Sequence, residues 1–566
     1  MKARLAELSR YVSGANFESL SRKDPLARLT PFGWRGALVF IFAFCLISFL
    51  LCGYFIAYWR NADMDFMVVY SALSLNDGAK RAFFDHPAYW TIVSVEFWFR
   101  LLHQLHLLDE WALSAIPTDG QRFEAAMTSV VRTGRIVAFA TSGACILAFA
   151  FLAKKIVRDR RIATCGVFAF AMSGGVQMHL RILRSEMIAA CFCVIALMLL
   201  LIVARRGTLL RPAALAVAGW LCMLGLENKV QAILLIAAMP ALLMPFGGSA
   251  SASVTFWTSG PHAWLTAAAT AIVAAGAAAA AWPLVSQGLD PAAAAAAGFH
   301  PLLLGRFGAY QALLLGWILG CMAAFALVWR VSAPETLAAM SALVAGAALG
   351  LMALYVQYDP RDVVIILNPI EQMLKYAQTS EAGGQLGSPV SLILSGLLGV
   401  LRRYTFVLFS SPRPTVFLTW LIIPGIVYAW RQGMHQVAVQ ATFLMLAAVA
   451  IDAMGVRRGL KLEYFVFTDP LIIIAGLLLL DRAKDLWLHP WTFNIGAMLI
   501  ALHVAIGQAE PVKIAFKAKG PENICEWSPE YLPQLSLPWC GPPVSALLVP
   551  PGRYSHGQPN SGTEAK

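Results

Sequence analysis

Long apolar segments bounded by charged residues recur along the chain and constrain its fold more than any other feature. The first of them, residues 36–59, contains no charged side chain, and similar segments follow as far as residue 506. About 20 apolar residues suffice for an α-helix to cross a bilayer. Of the 566 residues 59% are apolar and 13% are charged, compared with about 25% charged in soluble domains. The sequence therefore predicts an all-α polytopic membrane protein.

Basic residues at the ends of the apolar segments predict which side of the membrane each loop faces. Lys and Arg accumulate in cytoplasmic loops, and here they crowd residues 1–35 and 154–161. No short apolar core with a small-residue cleavage site comes first, so the first segment is predicted to be an uncleaved anchor. We expect about 13 transmembrane helices within residues 36–507, a cytoplasmic N-terminus (1–35) and a small extracytoplasmic tail (508–566).

The formal net charge of +12 is explained by these basic loops. No basic run is interleaved with aromatic residues, so nucleic acid is not an expected partner. A basic surface also suits anionic lipids. The alanine-rich segments and short outside loops favour a bacterial inner membrane.

Two of the ten cysteines stand apart from the others. Most are single residues inside apolar segments, where they are typical small core residues. Cys525 and Cys540 lie in the polar tail and can form a disulfide if that tail is outside the cytosol. Neither a CxxC pair nor a zinc-ligand spacing occurs, so no metal site is predicted.

The polar stretch of residues 61–90 is where we expect chemistry, because it directly follows the first span. Asp63 and Asp65 place carboxylates near the membrane surface, where one of them can act as a general base. The same two carboxylates could bind a divalent cation, although their spacing alone is a weak metal signal. The simpler reading is a solvated loop end.

A turn and a helix follow within the first outside loop, residues 59–134. Asp85 and His86 precede Pro87, a residue that suits the first turn of a helix. These two residues either contact a substrate or shape the turn. The segment 87–108 mixes apolar and charged residues, which favours an interfacial helix over a span.

Further charged residues gather on the predicted outside face, against the usual bias of Lys and Arg. Guanidinium groups bind phosphate oxygens in bidentate fashion, and ammonium groups also attract phosphate. The candidates for binding a phosphate are Arg181, Arg184, Lys229 and Lys461. The candidates for other substrate contacts are Asp85, His86, Glu186 and Tyr464.

The order of these motifs resembles the GT-C superfamily of membrane glycosyltransferases, which use polyprenyl-phosphate-linked sugars. In that family, one or two acidic residues after the first span precede an aromatic residue, a glycine and a His-Pro pair. The matching residues here are Asp63 or Asp65, Tyr70, Gly78, His86 and Pro87.

Later segments extend the resemblance in the same order. The loop with Arg181 and Glu186 resembles that of the lipid A aminoarabinose transferase and protein O-mannosyltransferase branches. GLENKVQAILL (225–235) resembles a family segment whose basic residue would be Lys229. KLEYFVFTDPLIIIAG (461–476) resembles a late family segment, but it has Lys and Glu where an Arg is usual.

The resemblance implies an inverting glycosyltransferase with a GT-C-like helix bundle. Its donor would be a polyprenyl-phosphate sugar, and its acceptor a cell-envelope glycan, a glycolipid or a protein on the periplasmic face. Asp65, or failing it Asp63, would deprotonate the acceptor hydroxyl. Basic residues would stabilise the leaving lipid phosphate, so no cofactor is required and a divalent cation is optional.

Two other functions stay open on the sequence. A transporter or flippase of lipid-linked or anionic solutes needs charged residues along its pathway inside the spans, and few are present. A polysaccharide polymerase or ligase would use a diphosphate-linked donor, for which the loop of residues 357–414 leaves room.

Overall fold

The structure is a computed structural model in which helix is the only regular secondary structure of the described residues. It describes residues 33–81, 87–205, 211–246, 260–300, 305–329, 331–373, 389–405, 415–455, 462–483, 490–516, 521–525 and 528–540.

The helices of the first half carry most of the predicted site residues. They are α1 (Gly33–Phe49), α2 (Ala62–Asn76), α3 (Tyr89–Gln104), α4 (Gly120–Ile156), α5 (Arg160–Ala171), α6 (Gly174–His179), α7 (Ser185–Arg205), α8 (Pro212–Asn228), α9 (Ala232–Leu243) and α10 (Pro261–Leu289). A π-helical turn, Leu50–Tyr54, continues α1.

The second half adds ten more helices within the described residues. They are α11 (Pro291–Ala296), α12 (Gly305–Val328), α13 (Ala333–Leu351), α14 (Pro360–Leu367), α15 (Pro389–Tyr404), α16 (Val416–Arg431), α17 (His435–Gly455), α18 (Asp469–Arg482), α19 (Pro490–Ala515) and α20 (Ser528–Tyr531).

Seven described helices are long and apolar enough to cross a membrane, which confirms the class of helical membrane protein. They are Gly33–Tyr54, Gly120–Ile156, Ser185–Ala204, Pro261–Leu289, Ala333–Gln357, His435–Met454 and Asn494–Lys513. Four shorter apolar helices accompany them: Pro212–Asn228, Ala232–Phe246, Gln311–Ala324 and Leu418–Arg431. The count of 13 spans stays a prediction.

Helix α4 begins at Gly120, well before the continuous apolar segment that starts at residue 136. The carboxylate of Asp119 accepts a hydrogen bond from the backbone N–H of Arg122 and caps the helix. From there α4 runs without interruption for 37 residues, or about 56 Å at roughly 1.5 Å per residue. The helix is therefore longer than the thickness of a bilayer's hydrocarbon core, which is about 30 Å. Its first turns bury Phe123, Met127 and Val130 against α2 and α3.

The apolar segment of residues 162–178 forms two helices and not one continuous span. Helix α5 ends at Ala171, and the short α6 starts at Gly174. A Cβ on Gly175 would lie 2.9 Å from the backbone nitrogen of Val466, so a larger residue cannot pack there. The break turns the following loop, residues 180–184, into the buried interior.

An apolar core joins the first outside loop to the C-terminal tail. Side chains of α2, α3 and α4 pack with Ile524, Leu532 and Leu537. Cys525 and Cys540 form a disulfide, with their Cα atoms 5.4 Å apart. The tail expected from residue 508 begins later, because α19 continues to Ala515.

Candidate functional site

Asp65 lies at the centre of a buried ion pair. Its Oδ2 accepts hydrogen bonds from Nε and Nη2 of Arg135 at 2.9 and 2.7 Å. Its Oδ1 accepts the backbone N–H of Leu183 at 2.8 Å. Both side chains are fully buried, and each carboxylate oxygen of Asp65 already accepts a hydrogen bond from the protein.

Arg135 also fixes the end of the first span. Its Nη1 donates to the carbonyl oxygens of Gly53 and Ile56 at 2.9 and 2.7 Å. Carbonyls at the end of a helix lack intrahelical donors. Arg135 supplies a donor to the carbonyl of Ile56 and a second donor to that of Gly53, which also accepts the Ile56 N–H at 3.2 Å. The Asp65–Arg135 pair thereby joins α1, α2, α4 and the loop before α7. We use the term site end for the end of the helix bundle that carries Asp65, Arg135, Arg181, Glu186 and Glu227.

Arg181, a predicted phosphate-binding residue, is buried at the site end with neutral partners. Its Nη2 donates to the Ser48 hydroxyl at 2.7 Å and to Gln177 Oε1 at 3.3 Å. Gln508 Oε1 accepts a further hydrogen bond from it. No carboxylate of the described residues lies within 4.0 Å of Arg181, and its Nη1 has no hydrogen-bond partner.

The approach of Arg181 to α1 depends on a glycine. A Cβ on Gly53 would lie 2.9 Å from the carbonyl oxygen of Arg181. Only glycine admits such a close approach without a backbone shift. Nearby, the amide nitrogen of Gln508 also lacks a partner, so two buried donors at this place are unused.

Four other predicted residues meet in one charged cluster. Lys229 Nζ lies 2.7 Å from Glu186 Oε1. Arg184 reaches Glu186 Oε2 at 3.4 Å and Glu463 Oε1 at 3.1 Å. The Tyr464 ring centroid is 6.0 Å from Lys229 Nζ. The carboxylates of Glu186 and Glu463 thus neutralise the charges of Lys229 and Arg184. Arg181, in contrast, has only neutral partners.

The end of α8 is held by hydrogen bonds to α3 and to the start of α7, which the sequence did not suggest. Glu227 Oε2 accepts a hydrogen bond from the Trp90 indole N–H at 2.7 Å. Asn228 Oδ1 accepts the backbone N–H of Thr91 at 3.0 Å, and its amide donates to the carbonyl of Ser185. A polar Glu-Asn-Lys triplet ending an apolar helix was the only available signal.

A second buried ion pair ties the first loop to α14. Arg81 pairs with Asp362 and donates to the carbonyl of Pro87 at 2.9 Å. Burial raises the pKa of Asp362, and the positive charge of Arg81 opposes that rise. Sequence reasoning missed this pair because its members are 281 positions apart.

Several predicted residues cannot be placed in this geometry. Asp85, His86 and Lys461 lie outside the described residues, as does the side chain of Asp63. The backbone of Asp63 belongs to the first turn of α2. In the described part of the chain, no group of three or more His, Cys, Asp or Glu side chains could hold a metal ion.

An apolar cavity of about 440 Å³ lies between α8, α9, α12 and α13. Its lining is almost entirely aliphatic and includes Leu215, Leu226, Ile233 and Met340. Between Leu215 and Leu226, α8 rises about 16 Å at roughly 1.5 Å per residue. One of the lining residues, Leu226, immediately precedes the Glu-Asn-Lys triplet in the sequence.

Comparisons of the chain with protein-family models, with curated proteins and with solved structures find no match. The GT-C resemblance therefore stays a hypothesis. Its support has to come from the residues at the site end.

Proposed function

We propose that the protein is an inverting glycosyltransferase of the bacterial inner membrane. It moves a sugar from a polyprenyl-phosphate donor to a cell-envelope glycan, glycolipid or protein acceptor. The N-terminus is cytoplasmic, and the site end and the C-terminal tail are periplasmic. The observation that carries the proposal is the buried Arg181, which has only neutral partners.

A buried charge is costly unless an opposite charge or several hydrogen bonds compensate it. Arg181 receives only neutral acceptors, and its Nη1 has none. A phosphate oxygen would satisfy that N–H and neutralise the guanidinium, a pairing that is strong and geometrically specific. The unused amide N–H of Gln508 adds a second donor for the same oxygen-rich group.

The apolar cavity supports a lipid as the carrier of that phosphate. A lining of aliphatic side chains suits a hydrocarbon chain and offers it no polar partner. The lining residue Leu226 immediately precedes the Glu-Asn-Lys triplet. Asn228 of that triplet donates to the carbonyl of Ser185, the first residue of α7. The proposal assigns the lipid chain to this cavity and the phosphate to Arg181, which lies four residues before Ser185 in the sequence.

In the proposed reaction, a carboxylate takes the proton of the acceptor hydroxyl. The hydroxyl oxygen bonds to the anomeric carbon as the bond from that carbon to the phosphate breaks. Attack opposite the leaving group inverts the anomeric configuration. Arg181 stabilises the charge that develops on the phosphate. Arg184 and Lys229 could assist only by exchanging their carboxylate partners for phosphate, and Lys461 keeps its predicted role.

The substitution Arg181→Gln tests the phosphate site. Loss of one preorganised donor to a developing anion reduces kcat about 10²–10³-fold, and the donor KM should rise while the acceptor KM stays constant. Arg100→Gln is the matched control, since Arg100 is half-exposed and pairs with Glu96 on α3. Wild-type donor kinetics in Arg181→Gln would remove this residue from the site.

The two alternatives lead to different expectations at the same residues. A transporter needs charges along the spans, whereas Arg181, Glu186 and Lys229 all lie where helices end. A ligase with a diphosphate-linked donor needs a second unpaired cation, and the cations of Arg184 and Lys229 are balanced by carboxylates. The first observation favours an enzyme over a transporter, and the second favours a monophosphate-linked donor.

A further inference from the structure

Glu227 differs from the other carboxylates at the site end. It is fully buried, and its Oε2 accepts one hydrogen bond, from Trp90. Its Oε1 has no partner, and no cationic group of the described residues lies within 4.0 Å. It also lies at the C-terminal end of α8, where the helix dipole disfavours a negative charge.

Four other buried carboxylates of the described residues are each paired with a cation. Asp65 is held by Arg135, Glu186 by Lys229, Glu463 by Arg184 and Asp362 by Arg81. A carboxylate with both a cation and fixed donors has little capacity left to accept a proton from a ligand. Asp362 Oδ1 also lacks a hydrogen-bond partner, but the other oxygen of that carboxylate is paired with Arg81. Among these five, only Glu227 combines such an oxygen with the absence of a described cation within 4.0 Å.

The groups that act on Glu227 from neighbouring elements do not neutralise it. Asp362 of α14 is a like charge whose own partner is Arg81. Tyr89 and Trp90 of α3 contribute a phenol and an indole, and Tyr89 donates to backbone carbonyls at residues 353 and 354. Lys229, two positions along the chain, pairs with Glu186 instead.

The orientation of Glu227 is fixed on both sides. The Trp90 N–H holds Oε2, and the next residue, Asn228, is bonded to Thr91 and Ser185. The backbone N–H of Ala88 donates to the Asn228 carbonyl at 3.0 Å. The unused Oε1 is thus a preorganised hydrogen-bonding position, as a catalytic group requires.

We propose that Glu227 is the carboxylate that takes the proton from the acceptor hydroxyl. The inference rests on the proposed glycosyl transfer. The hydroxyl proton passes to Oε1, the hydroxyl oxygen bonds to the anomeric carbon, and the lipid phosphate leaves with the electron pair of the broken bond. A buried carboxylate without a cation binds a proton more readily than a solvated one, which makes it the stronger base.

The test is Glu227→Gln in the full-length protein. Glutamine keeps the size of the side chain and an oxygen that accepts from Trp90, so the fold should persist. General-base catalysis contributes about 10²–10⁴-fold, and kcat should fall by at least about 10²-fold while the donor KM is unchanged. The fall in wild-type kcat at acidic pH should disappear in the variant. Glu96→Gln on α3 is the control and should retain wild-type kinetics.

Asp63→Asn, in the same assay, tests the competing base. If Asp63→Asn removes the acidic limb of the pH–rate profile and Glu227→Gln keeps it, the assignment to Glu227 is wrong. Wild-type kcat and pH dependence in Glu227→Gln would also overturn it and leave the glycosyl transfer standing. A wild-type protein that transfers no sugar would instead refute the proposed function, and this inference with it.

Discussion

Removal of the Asp65 carboxylate tests whether this residue holds the site end together. Asp65→Leu leaves Arg135 as a buried cation with only carbonyl partners. Breaking a fully buried pair by removing one partner costs about 3–5 kcal/mol. The pair is fully buried on both sides and has two short hydrogen bonds, so we expect a loss in this range. The exposed Asp77→Asn is the control and should cost less than about 1 kcal/mol.

The double substitution Asp65→Leu with Arg135→Met sharpens the same test. Both charges are then gone, and the remaining cost is mainly that of the Ile56 carbonyl without a donor, about 1–3 kcal/mol. The Gly53 carbonyl still accepts the backbone N–H of Ile56. Unfolding of the purified protein in lipid nanodiscs, followed by heat and by denaturant, gives the stabilities. We expect the double variant to be more stable than the sum of the single losses predicts, by about 3 kcal/mol. Additive losses, or an Asp65→Leu variant as stable as the wild type, would refute the reasoning.

Three further outcomes follow from the packing. Cys525→Ser should destabilise the tail by about 3 kcal/mol, because the disulfide closes a loop with a sequence separation of 15. Limited proteolysis would measure this loss, and a cleavage rate equal to that of the wild type would contradict the prediction. Gly53→Ala should raise the donor KM as Arg181→Gln does, whereas Gly276→Ala, where nothing lies within 4 Å, should not. Met340→Trp should fill the apolar cavity and raise the KM of long-chain donors more than that of short-chain analogues; equal effects would argue against a chain in the cavity.

The class of fold was predictable because apolar length and charge distribution act locally. Each span needs only its own residues to be recognised, and the long helix α4 is an extension of such a span. The position of its start was not predictable from polarity. Residues 120–135 are mixed in sequence, but their apolar side chains face α2 and α3.

The sequence predicted which residues belong to the candidate site better than it predicted which of them form ion pairs. Arg184, Glu186, Lys229 and Tyr464 were singled out individually, and the structure brings them into one cluster. Which cations are neutralised depends on long-range contacts that no local pattern encodes.

Two pairings show the same limit. Asp65 was predicted to act as a general base near the membrane surface, and the structure pairs it with Arg135, 70 positions away. Glu227 was not singled out from the sequence, and it stands out only because no cation of the described residues lies within 4.0 Å of it. A sequence shows which charges exist, whereas only packing shows which of them remain without a partner.

The most direct test of the account is the release of polyprenyl phosphate by the purified protein in vesicles. A panel of polyprenyl-phosphate sugars, supplied with envelope extract as the acceptor source, makes the result independent of the acceptor's identity. The account predicts stoichiometric release of lipid phosphate and transfer of the sugar by the wild type from at least one donor, with loss of both in Arg181→Gln. A folded wild-type protein that releases no lipid phosphate from any donor, or an Arg181→Gln variant as active as the wild type, would contradict it.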